Sequence, residues 1–151
     1  MITYQEESFA EMLEEMKSHL DEHYTETETY QDKVPLNPDY DAYQVLEDLG
    51  ALSVVTARDD EKLVGYCLTF MNMSPHSKDH LFATNDMIYV ERDYRHTAVA
   101  PELMSMVESV MQDNDVSILT FNMKTHIPFE SLLDNLGYDR VESVYSKYIG
   151  K

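Results

Sequence analysis

One cysteine, eleven basic residues and no apolar run of membrane-spanning length mark this sequence by what it has little of. Cys67 has no partner for an internal disulfide, and its place in the apolar run Leu63 to Phe70 predicts a buried thiol. A bilayer-spanning helix needs roughly 20 consecutive apolar residues. None is present, so a soluble protein is expected. The opening Met1-Ile2-Thr3-Tyr4-Gln5-Glu6-Glu7 has neither the basic nor the apolar region of an export signal, which makes the cytoplasm the expected compartment. There is no internal repeat and no low-complexity tract. His76, His80, Asp79 and Asp86 lie near one another but match no compact zinc spacing, and no metal is expected.

What is abundant is negative charge. Asp and Glu number 29 against 11 Lys and Arg, for a net charge of −18. That balance argues against nucleic acid as a partner, since phosphate backbones are held by basic residues. In residues 1–50 only Lys17 and Lys33 stand against 14 acidic residues. Such a surface maintains solubility, and it also attracts cationic molecules or seats in a basic site on another protein.

The 151 residues suit a single domain, 1–151. Ser8 and Glu11 have capping-box spacing, and Phe9, Met12, Leu13, Met16 and Leu20 follow at helical period, which predicts a helix from Phe9 to His23. Tyr24 to Tyr40 is polar and holds Pro35, Asn37 and Pro38, hence a loop. Asp41 is placed to cap a second helix that ends at Gly50. Strands are expected over Leu52–Arg58, Leu63–Phe70 and Leu81–Val90, with a loop from Ser74 to Asp79. A helix then starts near Pro101, a strand covers Ser117–Met123, and Pro128 opens a short helix closed by Gly137. The remaining Tyr138–Ile149 is strand-like. The order is that of a mixed α/β fold, which by itself names no function.

One junction carries more. The strand ending at Val90 runs through Glu91-Arg92-Asp93-Tyr94-Arg95-His96-Thr97-Ala98-Val99-Ala100 into the helix at Pro101. A strand feeding a helix through a tight loop gathers unpaired N–H groups and the positive end of the helix dipole at one point, which suits a phosphate or pyrophosphate. Arg95 adds a full charge there.

In this junction the sequence resembles the GNAT superfamily of acyl-CoA N-acyltransferases. Val90, Tyr94, Arg95, Ala98 and Ala100 stand at the places of their V-x-P-x-Y-R and R-x-x-G-x-G/A pattern. Leu136-Gly137-Tyr138 is similar to the family's L-G-F/Y, and Lys62-Leu63-Val64-Gly65-Tyr66 to its K-x-V-G-Y/F. The likeness covers about residues 50–149. The stretch from Asn85-Asp86 to Tyr94-Arg95, with the terminal Leu-Gly-Tyr, also resembles divergent acetyltransferase-like proteins of tailed phages, which would place the chain in a host cytoplasm. The implied fold is a mixed, mostly antiparallel sheet with a splayed strand pair, flanked by helices. Asn85 to Glu108 would form the coenzyme A cradle, with Tyr89, Val90, Arg95, His96, Thr97, Ala98, Val99 and Ala100 against the acetyl-CoA co-substrate.

The implied reaction is attack of an amine on the acyl thioester. Asp86, in an otherwise apolar strand, is the candidate base, with Asn85 beside it, because burial moves a carboxylate pKa toward neutrality. The family often has a tyrosine, four residues before the glycine of L-G-F/Y, that protonates the departing thiolate. Here that position is Leu133, and His126 is the nearest replacement by sequence. Ala98 stands where the family prefers glycine, so a penalty against positive φ and a weaker cofactor grip are expected there. The implied partners are a coenzyme A thioester and a cationic small molecule or basic protein, with a homodimer compatible and no membrane partner expected. The alternative is a catalytically silent GNAT-fold protein, phage-encoded, that binds a host or virion protein through its acidic surface.

Overall fold

The computed structural model describes residues 1–151. Five strands form one sheet in the order of the chain: β1 (Ile2–Glu6), β2 (Leu52–Asp59), β3 (Lys62–Ser74), β4 (Ser77–Val90) and β5 (Val116–Thr120). The first three pairings are antiparallel and β4–β5 is parallel. Four helices flank the sheet: α1 (Phe9–Thr27), α2 (Tyr40–Asp48), α3 (Val99–Asp113) and α4 (Glu130–Asn135).

Both capping-box hydrogen bonds between Ser8 and Glu11 are present at the start of α1. Its buried residues Phe9, Met12, Met16 and Leu20 recur at three and four, so one stripe faces the sheet. That face of the sheet contributes Leu52, Val54, Leu63, Tyr66, Leu68 and Tyr89. The opposite face presents Val55, Ala57, Val64, Cys67 and Val90 to Val99, Leu103, Val107 and Met111 of α3. Cys67 is fully buried, and burial pushes its thiol up to about 12, so it is a core residue. A bulge at Val64 switches the phase of β3. Next to it, a Cβ on Gly65 would come within 3.1 Å of the Tyr89 carbonyl, so β3 and β4 approach closely only because that residue has no side chain.

Several sequence expectations are corrected. β1 is absent from them, since five residues before the Ser8 cap give too little pattern. Asp39, not Asp41, caps α2, accepting from the Ala42 N–H at 3.0 Å. The expected Ser74–Asp79 loop shrinks to a tight turn because Ser74 pairs with Ser77. β5 stops at Thr120 rather than Met123, and α4 begins at Glu130 rather than Pro128. Residues 138–151 contain no strand. Alternation makes a segment fit to be a strand, but a strand exists only where another backbone completes its ladder.

Candidate functional site

The site starts where two strands part. β4 and β5 pair from Leu81↔Val116 to Thr84↔Thr120, then β5 ends while β4 runs six residues further beside β3 alone. Buried Asn85 marks the fork, its Oδ1 accepting from the Asn122 N–H at 2.6 Å. The next residue, Asp86, is a bulge: Leu68 pairs with Met87 and Thr69 with Asn85, leaving Asp86 unmatched. The extra residue interrupts the ladder and re-aims its side chain.

Beyond Val90 a single 3₁₀ turn, Arg92–Tyr94, leads to the amino end of α3. The N–H groups of His96, Thr97, Ala98 and Ala100 have no partner within the chain, and residues 96–98 are exposed. The Val99 N–H is taken by Thr97 Oγ1 at 3.2 Å, and Thr97 in turn donates to the Tyr94 carbonyl. Free amides at a helix start form an anion-binding end. The positive φ of this loop falls on His96 (63°), while Ala98 is right-handed at φ −70°, ψ −8°. The expected penalty at Ala98 is therefore absent.

Among the expected cofactor residues, the side chains of Tyr89, Val90, Arg95 and Val99 are engaged within the protein. Tyr89 is buried against α1, its hydroxyl donating to Glu22 at 3.1 Å, and Val90 and Val99 are core residues under α3. Only their backbones lie along the parting. Arg95 is not a free charge: Nε donates to the Val90 carbonyl at 2.7 Å, Nη1 pairs with Glu26 at 2.8 Å, and the guanidinium lies 5.4 Å over the Tyr89 ring. Burial would raise the Glu26 carboxyl, but its bonds to Arg95 and Arg92 outweigh that and hold it below the usual carboxylate range.

On the α1–α2 side, Tyr43 of α2 donates to Asp86 Oδ2 at 2.6 Å. Asp86 is exposed, not buried as its apolar strand suggested, although the surrounding protein still crowds its carboxyl. Burial raises its pKa more than the Tyr43 hydrogen bond lowers it, and the charge of Glu28 adds to the rise. Tyr43 is stacked between Phe9 (5.4 Å) and Phe70 (6.2 Å), so its ring is held in place. Burial, then the Asp86 carboxylate, raises its pKa and keeps it protonated. His126 donates from Nε2 to the Glu26 carbonyl at 2.8 Å, tying the β5–α4 loop to the end of α1. That bond gives it a structural contact rather than one to Asp86. Leu133 is a half-buried α4 residue.

Tyr43, Glu26 and Glu28 were not legible in the sequence. They come from the acidic first third, and nothing local links them to β4. A phase break at Asp86 was the only available signal.

Split strands beside a helix start with free amides, and a carboxylate at the fork, make a cleft suited to an extended anionic molecule. The sequence profile of the acetyltransferase (GNAT) family matches residues 10–129. The chain belongs to that family. No curated protein matches it. Among solved structures, it is similar to a ribosomal-protein-alanine N-acetyltransferase from Brucella melitensis biovar Abortus 2308, with a TM-score of 0.72, 19% identity, and coverage of 98% of this chain and 99% of that one. An aminoglycoside acetyltransferase from an uncultured soil metagenomic sample, in complex with sisomicin, gives 0.75 at 11% identity, covering 99% and 97%. A predicted acetyltransferase with acetyl-CoA from Clostridium acetobutylicum gives 0.73 at 8%, covering 98% and 96%. At these identities the likeness establishes the fold.

Proposed function

We propose that the protein transfers an acetyl group from acetyl-CoA to a primary amine on a cationic acceptor. The observation that carries this reading is the placement of Asp86, with its raised pKa, at the fork between β4 and β5, on the strand that leads to the free amides of α3. The amides of His96, Thr97, Ala98 and Ala100 would receive the pyrophosphate, and the unpaired edge of β4 beyond Asn85 would align the pantetheine arm. Solved neighbours with acetyl-CoA and with sisomicin bound support a thioester donor and a polyamine-like acceptor.

In the reaction, Asp86 accepts a proton from the acceptor's ammonium. The freed amine attacks the thioester carbonyl, a C–N bond forms, and the C–S bond breaks to release the thiolate. The nitrogen's second proton leaves as the amide forms; Leu133 cannot carry it to the thiolate and His126 is tied to α1, so it passes through solvent and the thiolate leaves as the thiol. Glu28 and the net charge of −18 attract a cation to this mouth.

A second reading keeps the family fold without the chemistry. Leu133 and the pairing of Arg95 with Glu26 favour it: the chain would bind a basic surface of a host or virion protein. Calorimetric titration with acetyl-CoA, followed by turnover assays on polyamines, aminoglycosides and basic peptides in a cytoplasmic buffer, separates the two. Binding with turnover supports the transferase. Binding without turnover on any acceptor supports the silent protein, and no binding removes the co-substrate from both.

A further inference from the structure

The last turn of α1 is built against its local preference. A helix ends in unpaired carbonyls and the negative pole of its dipole, which favour Lys, Arg or His at that end. α1 has no basic residue in its last turn; it carries Glu26 there, and its cap is Glu28. Both carboxylates are repelled by the pole on which they sit, so partners from elsewhere in the chain must hold them.

Those partners come from the two arms of the parting. From the β4–α3 arm, Arg95 meets Glu26 through two side-by-side contacts, Nη1 to Oε2 at 2.8 Å and Nη2 to Oε1 at 3.2 Å. Arg92 of the same arm reaches Glu22 at 3.0 Å and Glu26 at 3.5 Å. From the β5–α4 arm, His126 holds the Glu26 carbonyl at 2.8 Å and Lys124 lies 3.9 Å from Glu28. The Glu26 side chain is 16% exposed, against 70% for Arg92, so the carboxylate is enclosed while one of its partners stays open to solvent. A two-point arginine–carboxylate pair is the strongest of these contacts.

Arg92 and Arg95 are also the only full positive charges in the loop that ends in the free amides of His96, Thr97 and Ala98. With Glu26 upon them their charge is already offset when an anion arrives, and Glu22 and Glu26 repel the newcomer. A guanidinium takes a phosphate in the same forked manner as a carboxylate, so one can replace the other. We infer that Glu26 is an internal competitor of the co-substrate: its carboxylate occupies Arg95 and Arg92, the phosphates of the bound anion displace it, and the last turn of α1 is then released from the α3 arm. This competition takes its ligand, acetyl-CoA, from the proposed function. Coupling runs both ways: whatever frees Glu26 from the arginines strengthens the anion's hold, and the anion frees Glu26.

Calorimetric titration of the full chain and of Glu26→Gln with two probes, inorganic pyrophosphate and acetyl-CoA, tests this, with hydrogen exchange of the amides of residues 24–28 read in the same samples. Glutamine keeps the side chain's shape and removes its charge. Glu26→Gln should bind both probes tighter than the parent by about threefold or more. Acetyl-CoA should speed exchange at residues 24–28 of the parent, and in the variant that exchange should be fast before any ligand is added. In an Arg95→Ala background the same substitution should give little gain, which separates competition for the arginine from a general loss of negative charge. Should Glu26→Gln not fold, Glu22→Gln, which frees Arg92 from a more exposed carboxylate, decides by the same sign. Unchanged or weaker binding of both probes overturns the inference, as does a gain undiminished without Arg95 or a turn whose exchange acetyl-CoA leaves unchanged or slows. Were the parent to bind and use acetyl-CoA in that case, the acetylation would stand without the competitor. Tighter pyrophosphate with no acetyl-CoA binding in either form supports the competitor and removes acetyl-CoA as its ligand.

Discussion

The two walls of the parting between β4 and β5 are made of different material. On the α3 side the groups that face outward are backbone amides at residues 96–98 and 100, supplied by a contiguous loop. On the α1–α2 side they are side chains drawn from four places: Tyr43 from α2, Glu26 and Glu28 from the end of α1, Asp86 from β4, and His126 from beyond β5. A wall of backbone depends on the local shape of the chain, and a short sequence pattern specifies it. A wall of side chains depends on which elements meet, and no local pattern specifies that.

The largest expected effect tests how tightly the side-chain wall is packed. His23 is buried between α1 and the sheet, its Nδ1 3.1 Å from the Tyr66 hydroxyl, and burial lowers its pKa to about 4, with Arg95 contributing and Glu26 opposing. The unfolded chain takes up this proton first, near pH 6.5. Stability is therefore intact above that pH and falls as pH drops from about 6.5 to about 4, by up to about 3 kcal/mol. Urea titrations across this range should show the fall, and His23→Gln should flatten it. An equal slope in that variant would mean that His23 is not closed off from solvent.

Asp86→Asn should sharpen the contrast between the walls. If each wall has its own task, turnover falls about a hundredfold or more with loss of the base, while acetyl-CoA affinity hardly changes. Tyr43→Phe is the finer version. Its hydrogen bond lowers the Asp86 pKa, so without it the carboxyl titrates higher and the acid limb of the rate profile moves to higher pH. An unmoved limb in Tyr43→Phe would detach Tyr43 from the base, and a loss of acetyl-CoA binding in either variant would merge the two walls into one.

The same contrast governs what the sequence disclosed. Ser8-Glu11 and the junction leading into α3 were readable because each is a local rule: a cap, and a strand feeding a helix through a tight loop. Asp86 was readable as a polar residue in an apolar strand, but its bulge and its Tyr43 partner were not, because both require β3 and α2 to be in place. β1 and the unpaired final segment failed in opposite directions. The first has a partner that its five residues do not advertise, and the second advertises a partner that its own chain does not provide.

The smallest effect asks whether the backbone wall needs a glycine, and where. The family preference falls at Ala98, but the left-handed residue is His96, at φ 63°, two positions earlier. Ala98 is already in a conformation that alanine favours, so Ala98→Gly only frees the unfolded chain and should lower stability by about 0.4–1 kcal/mol, with no gain in acetyl-CoA affinity. His96→Gly relieves a left-handed non-glycine residue while freeing the unfolded chain by a similar amount, and the two nearly cancel. Thermal melts of the pair should therefore separate, Ala98→Gly below the parent and His96→Gly beside it. Tighter acetyl-CoA binding in Ala98→Gly would mean that the alanine methyl does crowd the approach to the amides. The wall would then be limited by a side chain after all.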